Sequence, residues 1–357
     1  MVHELAEKGD WPSVAILILN YNGLRWLGRC LSSVVRTNYP SHEIYLVDNG
    51  SQDESVAHVK KDFPAVKIIH NSRNLGWPAA YNRAIEQVTA DYIVLLNNDT
   101  DVLDPKWVKY LVEAALTDEH IAAAACKMVS MADHSRLDSV GGMGIPYWRG
   151  FVDIGREELD QGQYDSGDFE PFAFCGGAAL LRRGAFLNAG KFDGSFFLYV
   201  EDVDLSWRLR LLGYRITYVP QAGVAHYFSG STGIKSVDPD KLYYCHRNLM
   251  RAIVKNCGSS FAWALRCYLL YSLILIAGFS FFDRRKAVAT VKALFWNLLN
   301  LRDTYSKRII IQRLRKVNDD EILTRMYPKL SRYQPAEDQL VRRVLDTLFG
   351  RSLVAPS

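Results

Sequence analysis

Tyr92-Ile-Val-Leu-Leu-Asn-Asn-Asp99-Thr-Asp101 joins five apolar residues to a cluster of amides and carboxylates. A short, continuously apolar run rich in Val, Ile and Leu reads as a strand buried on both faces. An unpaired ionised group out of water is costly, so acids at the end of such a strand need a reason to be there. Asp104-Pro105 follows at once, an Asp cap with Pro at a first helical position, and predicts that a helix begins there. The acids then lie at the carboxyl end of a strand, where open α/β sheets bind ligands. Two or three oxygen ligands suit a hard cation such as Mg²⁺ or Mn²⁺, which also holds substrate phosphates. The plainer reading is a strand-end Asp that only caps a turn.

Three further places could carry chemistry. Phe172-Ala-Phe-Cys-Gly176-Gly177-Ala-Ala-Leu-Leu181 is a small-residue segment running into a strand, and its glycines permit close backbone approach to a ligand or form a bulge. In Glu201-Asp202-Val-Asp204-Leu-Ser-Trp-Arg-Leu-Arg-Leu-Leu-Gly213, the leucines at 205, 209 and 212 mark one helical face and Gly213 fits a terminator. Asp202 and Asp204 then fall in the first turn, at the positive end of the helix dipole. A carboxylate there either caps the helix or serves as a general base. Tyr214–Val219 is another strand, and His226 lies six residues beyond Pro220. An isolated histidine is more often a core or surface residue than a ligand.

The elements that must position these residues are legible as a pattern. Val14–Leu19 is a first buried strand, ending in Asn20-Tyr-Asn22-Gly23 and followed by a helix over Leu24–Val35. Glu43–Val47 is a second, ending in Asp48-Asn-Gly-Ser-Gln-Asp53 before a helix near Glu54–Lys61. Val66–Ile69 is a third, followed by Asn74-Leu-Gly-Trp-Pro78 and a helix over Ala79–Val88. With Tyr92–Leu96 as the fourth, strands alternate with helices as in a doubly wound, mostly parallel sheet. Three of these strands end in Asn or Asp on one sheet edge, a convergence that independent caps would not need. No G-x-G-x-x-G follows the first strand and no phosphate-cradling P-loop occurs, so phosphates would meet a metal and scattered polar groups instead. Residues 127–172 read as loops and short strands forming an acceptor-side wall.

The chain resembles family 2 glycosyltransferases of the GT-A fold, a Rossmann-like doubly wound α/β architecture. The resemblance runs from Val14 to about Lys255 and rests on Leu19-Asn-Tyr-Asn-Gly, Val47-Asp-Asn-Gly-Ser-Gln-Asp, Asn74-Leu-Gly-Trp-Pro, Leu95-Leu-Asn-Asn-Asp-Thr, Cys175-Gly-Gly-Ala, Phe196-Phe-Leu-Tyr-Val-Glu-Asp-Val-Asp-Leu and Val219-Pro…His226. Tyr243-Tyr-Cys-His-Arg-Asn248 is similar to rhamnosyltransferase-like members. The resemblance implies that Asp48 binds the donor nucleobase beside the Asn20–Asn22 loop, with Asn74 and Asn97 also on the donor side. Asp99 would be the last acid of a D-x-D metal motif whose first position holds Asn97, and Asp101 is a rival register. His226 would be a further metal ligand, Asp202 the general base, and Gly176, Gly177 and Glu201 the acceptor or sugar side. One base and a direct displacement imply inversion at the anomeric carbon.

The 357 residues suffice for one large domain and an appendage, and 49% are apolar. The six cysteines show no C-x-x-C pair and read as reduced thiols. The polar start, Met1 to Trp11, does not read as a signal peptide. The net charge of +4 hides an asymmetry: from Asp283 onward sixteen Lys/Arg face eight Asp/Glu, leaving −4 on the first 282 residues. Before that basic tail lies Phe261–Phe282, apolar apart from Arg266, and after it a second apolar helix over Val288–Leu301. These could form a pair of helices in the headgroup layer, a true span, or a buried hairpin at a homodimer interface. The expected organisation is a catalytic domain over 1–256, an apolar helical, membrane-associating or dimerising region over 257–304, and a basic helical tail over 305–357 folded back on the body.

The expected activity is a metal-dependent inverting glycosyltransferase, peripheral on the cytoplasmic face of the cell membrane. The donor would be a nucleotide sugar, dTDP-rhamnose by resemblance, and the acceptor a lipid-linked or cell-surface glycan; no nucleic acid is involved. The competing readings are a sugar-nucleotide-binding scaffold without turnover and a nucleotidylyltransferase. The latter would want a Gly-rich, basic loop after the first strand, which Asn20-Tyr-Asn22-Gly23 is not.

Overall fold

A computed structural model describes residues 10–145, 148–166, 169–227 and 238–326. The first half alternates β1 (Val14–Asn20), α1 (Leu24–Val34), β2 (His42–Asp48), α2 (Ser55–Asp62), β3 (Lys67–His70), α3 (Trp77–Gln87) and β4 (Tyr92–Asn97). These strands lie in the order β3-β2-β1-β4 and are all parallel. The order reverses between β1 and β4, the kind of switch point at which open α/β sheets take ligands. Successive side chains alternate between two layers. Ile16, Ile18, Leu46, Val94 and Leu96 pack with Leu27, Leu31 and Val34 of α1, while Ala15, Leu17, Val47, Ile93 and Leu95 pack with Ala80, Tyr81 and Ala84 of α3. A period of two with a helix on each face is why these runs are unbroken apolar sequence.

The second half contains β5 (Thr100–Val102), α4 (Trp107–Leu116), β6 (Ile121–Ser130), β7 (Leu137–Ser139), β8 (Gly142–Ile145), β9 (Gly150–Asp153), β10 (Ala178–Arg182), α5 (Arg183–Asn188), α6 (Glu201–Leu211) and β11 (Arg215–His226). The sheet continues β4-β10-β6-β11-β5. β10 is antiparallel to both neighbours, β5 to β11 and β7 to β6. β6 and β11 keep the direction of the first four strands, so the sheet is mixed but mostly parallel, as expected.

Local expectations shift in three places. The helix expected at Asp104-Pro105 starts at Trp107, because the Asp104 carboxylate accepts the Lys106 amide at 2.8 Å and closes a turn first. The short strand β5 intervenes before it. The strand expected to end at Val219 runs on to His226, absorbing Pro220 in an irregularity of register between Val219 and Gly223. That extension decides where His226 lies.

The C-terminal part is helical: α7 (Pro239–Asn256), α8 (Phe261–Phe282), α9 (Arg284–Leu299), α10 (Leu301–Leu314) and α11 (Asp319–Met326). It shares a core with α6, since Trp207 and Leu211 pack in one cluster with Ala264, Cys267, Tyr268, Ile322 and Met326. A buried ion network crosses the same junction. Asp193 accepts from Arg251 at 2.9 Å, Lys255 at 2.7 Å and Lys307 at 2.7 Å. Asp204 accepts from Lys255, Asn256 and Arg208, each at 3.0 Å. The Lys316 amide donates to the Leu211 carbonyl at 2.7 Å, so the chain folds back on the body there. The core therefore does not part at Asn256. The tail beyond Met326 lies outside the described residues, as do residues 1–9.

Candidate active site

The carboxyl ends of β1, β2 and β4 hold the first group of residues. Asn98 donates to Asn20 Oδ1 at 2.7 Å and Asn20 donates to Ser51 Oγ at 3.0 Å. Ser51 Oγ also accepts the Asn22 amide at 3.0 Å, and Asn22 Oδ1 accepts the Gln52 amide at 2.7 Å. Gly23 is required for this arrangement, because a Cβ there would lie 1.9 Å from Asn98 Nδ2. Asp48 is fully buried. One of its oxygens meets His70 Nδ1 at 2.8 Å, and Oδ1 has no hydrogen-bond partner among the described residues. A buried carboxylate oxygen without a donor is costly and fits a ligand N–H. Asn74 works on the loop: its Oδ1 accepts from Asn49 at 2.9 Å and from the Gly76 amide at 2.9 Å.

The second group lines a cavity of about 480 Å³ that contains Asn97, Asp99, Gly176, Gly177, Glu201, Asp202 and His226. β4 delivers Asn97, whose backbone N–H donates to the Gly177 carbonyl at 2.9 Å. Pairing of β11 with β5 sets His226 opposite Thr100, which brings His226 Nε2 to 3.5 Å from Asp99 Oδ1. The other ring nitrogen, Nδ1, is 2.7 Å from Asp138. Burial alone would lower the His226 pKa, but the bonds to Asp138 and Asp99 overcome it and hold the ring up to about 10. Asp101 points elsewhere: Arg29 binds it at 2.9 Å, and it does not line the cavity.

This donor set fits a divalent cation. An imidazole oriented by a carboxylate on its far nitrogen is the usual second-shell arrangement of a metal-binding histidine. Among the described residues no three His, Cys, Asp or Glu side chains form a complete cage. A site of one carboxylate and one imidazole that takes its remaining oxygens from phosphate and water matches how small hard cations are held beside nucleotides.

Asp202 opens α6 across the same cavity. It accepts the Gly176 amide at 2.9 Å and the Val203 amide at 2.8 Å. Burial outweighs these bonds and pushes its pKa up to about 6. Gly176 is needed for the contact, because a Cβ there would come within 2.9 Å of the Trp77 ring. Neighbouring Glu201 is more deeply buried, and desolvation keeps its pKa well above the carboxylate range. Asp204, in the same turn, is a member of the buried ion network instead. The loop presenting Asp202 holds three non-glycine residues at positive φ: Phe197 (62°), Tyr199 (69°) and Val200 (70°). Such conformations cost on the order of 1–3 kcal/mol each and persist where the surroundings over-determine them. Here Asn248 Nδ2 lies 2.9 Å from the carbonyls of Phe196 and Leu198 and 2.7 Å from that of Tyr199, while Arg247 donates to the Ser195 carbonyl at 2.8 Å.

Residues that the sequence did not single out as site residues complete the cavity: Asp138 in the middle of β7, Arg149 and Asp153 around the β8–β9 hairpin, and Lys241 and His246 on α7. The hairpin lies in the stretch expected to form an acceptor-side wall, but its weak periodicity gave no way to single out these side chains.

Fold and comparisons together define a glycosyltransferase. Residues 15–188, just under half of the chain, match glycosyl transferase family 2, and the chain is a glycosyltransferase of the GT-A fold. Its relatives include N-acetylglucosaminyl-diphospho-decaprenol L-rhamnosyltransferase of Mycobacterium tuberculosis, 29% identical over 61% of this chain and 77% of that one. Poly-beta-1,6-N-acetyl-D-glucosamine synthase of Staphylococcus aureus is 27% identical over 60% of this chain, which spans only 49% of the synthase. Among solved structures, GalNAc-T7 with UDP, GalNAc and Mn²⁺ superposes with a TM-score of 0.54 at 17% identity, over 70% of this chain and 49% of that one. S. aureus TarS gives 0.53 at 16% identity, over 90% and 56%. At these identities the structural likeness establishes the fold.

Proposed function

We propose that this chain moves a sugar, with inversion, from a nucleoside-diphosphate sugar to a hydroxyl of a lipid-linked or cell-surface glycan. The observation that carries this reading is the shared cavity, with Asp202 on one wall and the Asp99–His226 pair on another. Asp48, with its unfilled buried oxygen, takes the N–H of the base, and the Asn20–Asn22 and Asn74 loops shape its surroundings. Asp99 and His226 would hold a divalent cation, Mg²⁺ or Mn²⁺, with Asn97 alongside; when bound, it would offset the negative charge that develops on the departing diphosphate. Asp202 accepts the proton of the acceptor hydroxyl as that oxygen attacks the anomeric carbon, and the Gly176 and Val203 amides fix its orientation. The β8–β9 hairpin and α7 exclude water from the acceptor side. The mycobacterial relative supports rhamnose as the sugar and a diphosphate-linked lipid as the acceptor's carrier, and dTDP-rhamnose is the donor we propose by family resemblance.

The apolar, exposed end of α8 supports membrane association. α8 is long and apolar enough to cross a bilayer, with a mean hydropathy of 1.8 over its most apolar window, only 17% of it buried. Yet its buried residues, Ala264, Cys267, Tyr268 and Ser272, all fall within its first twelve residues. Only Leu273–Phe282 is left to enter lipid, about 15 Å at 1.5 Å per residue, half of a hydrocarbon core of ~30 Å. Phe281 and Phe282 at its tip are 86% and 91% exposed. Arg284, Arg285 and Lys286 follow this tip after Asp283 and belong at headgroup level, so the exposed end supports shallow placement in the cytoplasmic leaflet's interface over a true span.

The test is a panel of nucleotide sugars assayed for Mn²⁺-dependent hydrolysis and for transfer to a lipid-linked sugar. Wild-type turnover that Asp99→Ala abolishes is the expected result. Tight donor binding with no turnover on any donor would favour the scaffold reading instead.

A further inference from the structure

A second concavity lies outside the catalytic cavity. It is a groove of about 830 Å³ between α7 and α9. Arg285, Val288, Ala289, Lys292, Phe295 and Leu299 recur at helical spacing along its α9 wall, and Arg284 stands at its end. Arg284, Arg285 and Lys292 are exposed and form no ion pair with any described residue, and among the described residues that line the groove Asp240 is the one carboxylate. Val288, Phe295 and Leu299 are 51%, 58% and 69% exposed. Two cations at one end, a third half-way along and hydrocarbon between and beyond them complement an amphiphile with an anionic head. The Trp296 ring is held in the wall by the Arg247 guanidinium, 4.5 Å from its centroid, so the floor is built and not merely open surface.

Two further observations narrow the occupant. The groove adjoins the protruding end of α8, because α9 starts two residues after Phe282, so a lipid enters it from the apolar face already described. It is also back to back with the catalytic cavity. Asp240, Tyr243 and Tyr244 of α7 face the groove, while Lys241, Leu242, Cys245 and His246 of the same helix face the cavity. One helix thickness, roughly 10 Å, separates them, a distance that a diphosphate and its first sugar cover.

We propose that the α7–α9 groove binds the phosphate-bearing end of a lipid-linked acceptor, with Arg284, Arg285 and Lys292 on the phosphate oxygens and Val288, Phe295 and Leu299 along the hydrocarbon chain. This inference rests on the glycosyltransferase reading and adds where the acceptor's carrier is held. The full chain in non-ionic detergent is titrated with farnesyl diphosphate, and with farnesol and inorganic diphosphate as its two halves. Farnesyl diphosphate should bind at least tenfold tighter than either half. R284Q/R285Q/K292Q, all at exposed positions, should retain the wild-type melting temperature and lose at least tenfold in farnesyl diphosphate affinity, with farnesol little changed. F295A/L299A should weaken farnesyl diphosphate and farnesol together. Equal binding of farnesyl diphosphate and inorganic diphosphate, or wild-type affinity in the triple variant, would overturn the proposal. So would a triple variant that loses only its adsorption to phosphatidylglycerol vesicles, which would make the groove a bulk membrane contact. Failure of the underlying function shows up separately, as a wild-type chain that binds farnesyl diphosphate but turns over no nucleotide sugar.

Discussion

Asp202→Asn separates the catalytic from the capping role of this residue, because the two predict opposite effects on stability. Burial raises the Asp202 pKa from 3.8 to about 6, which at 1.36 kcal/mol per unit is an upper bound of ~3 kcal/mol against the ionised form. The unfolded chain ionises first, so between about pH 4 and pH 6 the folded state binds the extra proton and stability falls as pH rises. Above about pH 6 the penalty is complete. Asparagine cannot ionise, but its Oδ1 alone can accept, so one of the bonds from Gly176 and Val203 is lost at about 1 kcal/mol. The net expectation is a variant more stable than wild type at pH 8 by about 1–2 kcal/mol, a few degrees in Tm, with the gain gone at pH 4. Its kcat/KM should fall by ~10²–10⁴-fold, the usual worth of a positioned base. In wild type, about nine-tenths of Asp202 is ionised at pH 7 and about one-tenth at pH 5, so kcat/KM should drop about tenfold between them. The assays are donor turnover with saturating Mn²⁺ from pH 5 to 8 and thermal melts at pH 4 and 8. A variant that melts lower than wild type at pH 8 and keeps its acid limb would refute the reasoning.

Asp138→Asn should weaken Mn²⁺ affinity by about 10–100-fold without unfolding the protein, measured by calorimetry or by Mn²⁺ electron paramagnetic resonance. Since a cation must displace the proton that His226 holds up to about 10, wild-type Mn²⁺ binding should also weaken steadily as pH falls from 9 to 6. Asp193→Ala strips a buried carboxylate from Arg251, Lys255 and Lys307 and should cost about 3–5 kcal/mol in chemical denaturation. Those cations hold the Asp193 pKa far below the carboxylate range, so its contribution is present above about pH 4 and lost only in strong acid. For the same reason truncation after Asn256 should yield an unfolded or aggregated chain, and recovery of a cooperative, donor-binding fragment would show that the shared core is dispensable. Phe281→Ser with Phe282→Ser should reduce sedimentation with acidic liposomes at low salt while leaving donor hydrolysis unchanged; a soluble dimer indifferent to lipid would point to the buried-hairpin reading.

The sequence alone determined the alternating α/β plan. Its buried strands are continuous apolar runs, three of them ending in Asn or Asp side chains that hydrophobic periodicity cannot explain. Asn20, Asp48, Asn97 and Asp99 were marked that way, and Asp202 by its place in a first helical turn, because these signals are local. Which residues meet was settled only in three dimensions. His226 reaches Asp99 because β11 runs past Pro220 and pairs with β5, a strand of three residues too short to show a period. Asp138 is joined to His226 across 88 positions of sequence, a separation that carries no local signature. Asp202 and Asp204 look alike in the sequence, yet one opens onto the cavity and the other is neutralised by Lys255 and Arg208, a difference made by which face of α6 turns toward α7. The apolar stretch 261–282 was legible as a helix of spanning length, but only packing showed that its first part is held by the protein. Composition counts apolar residues, whereas burial depends on which of them another element covers.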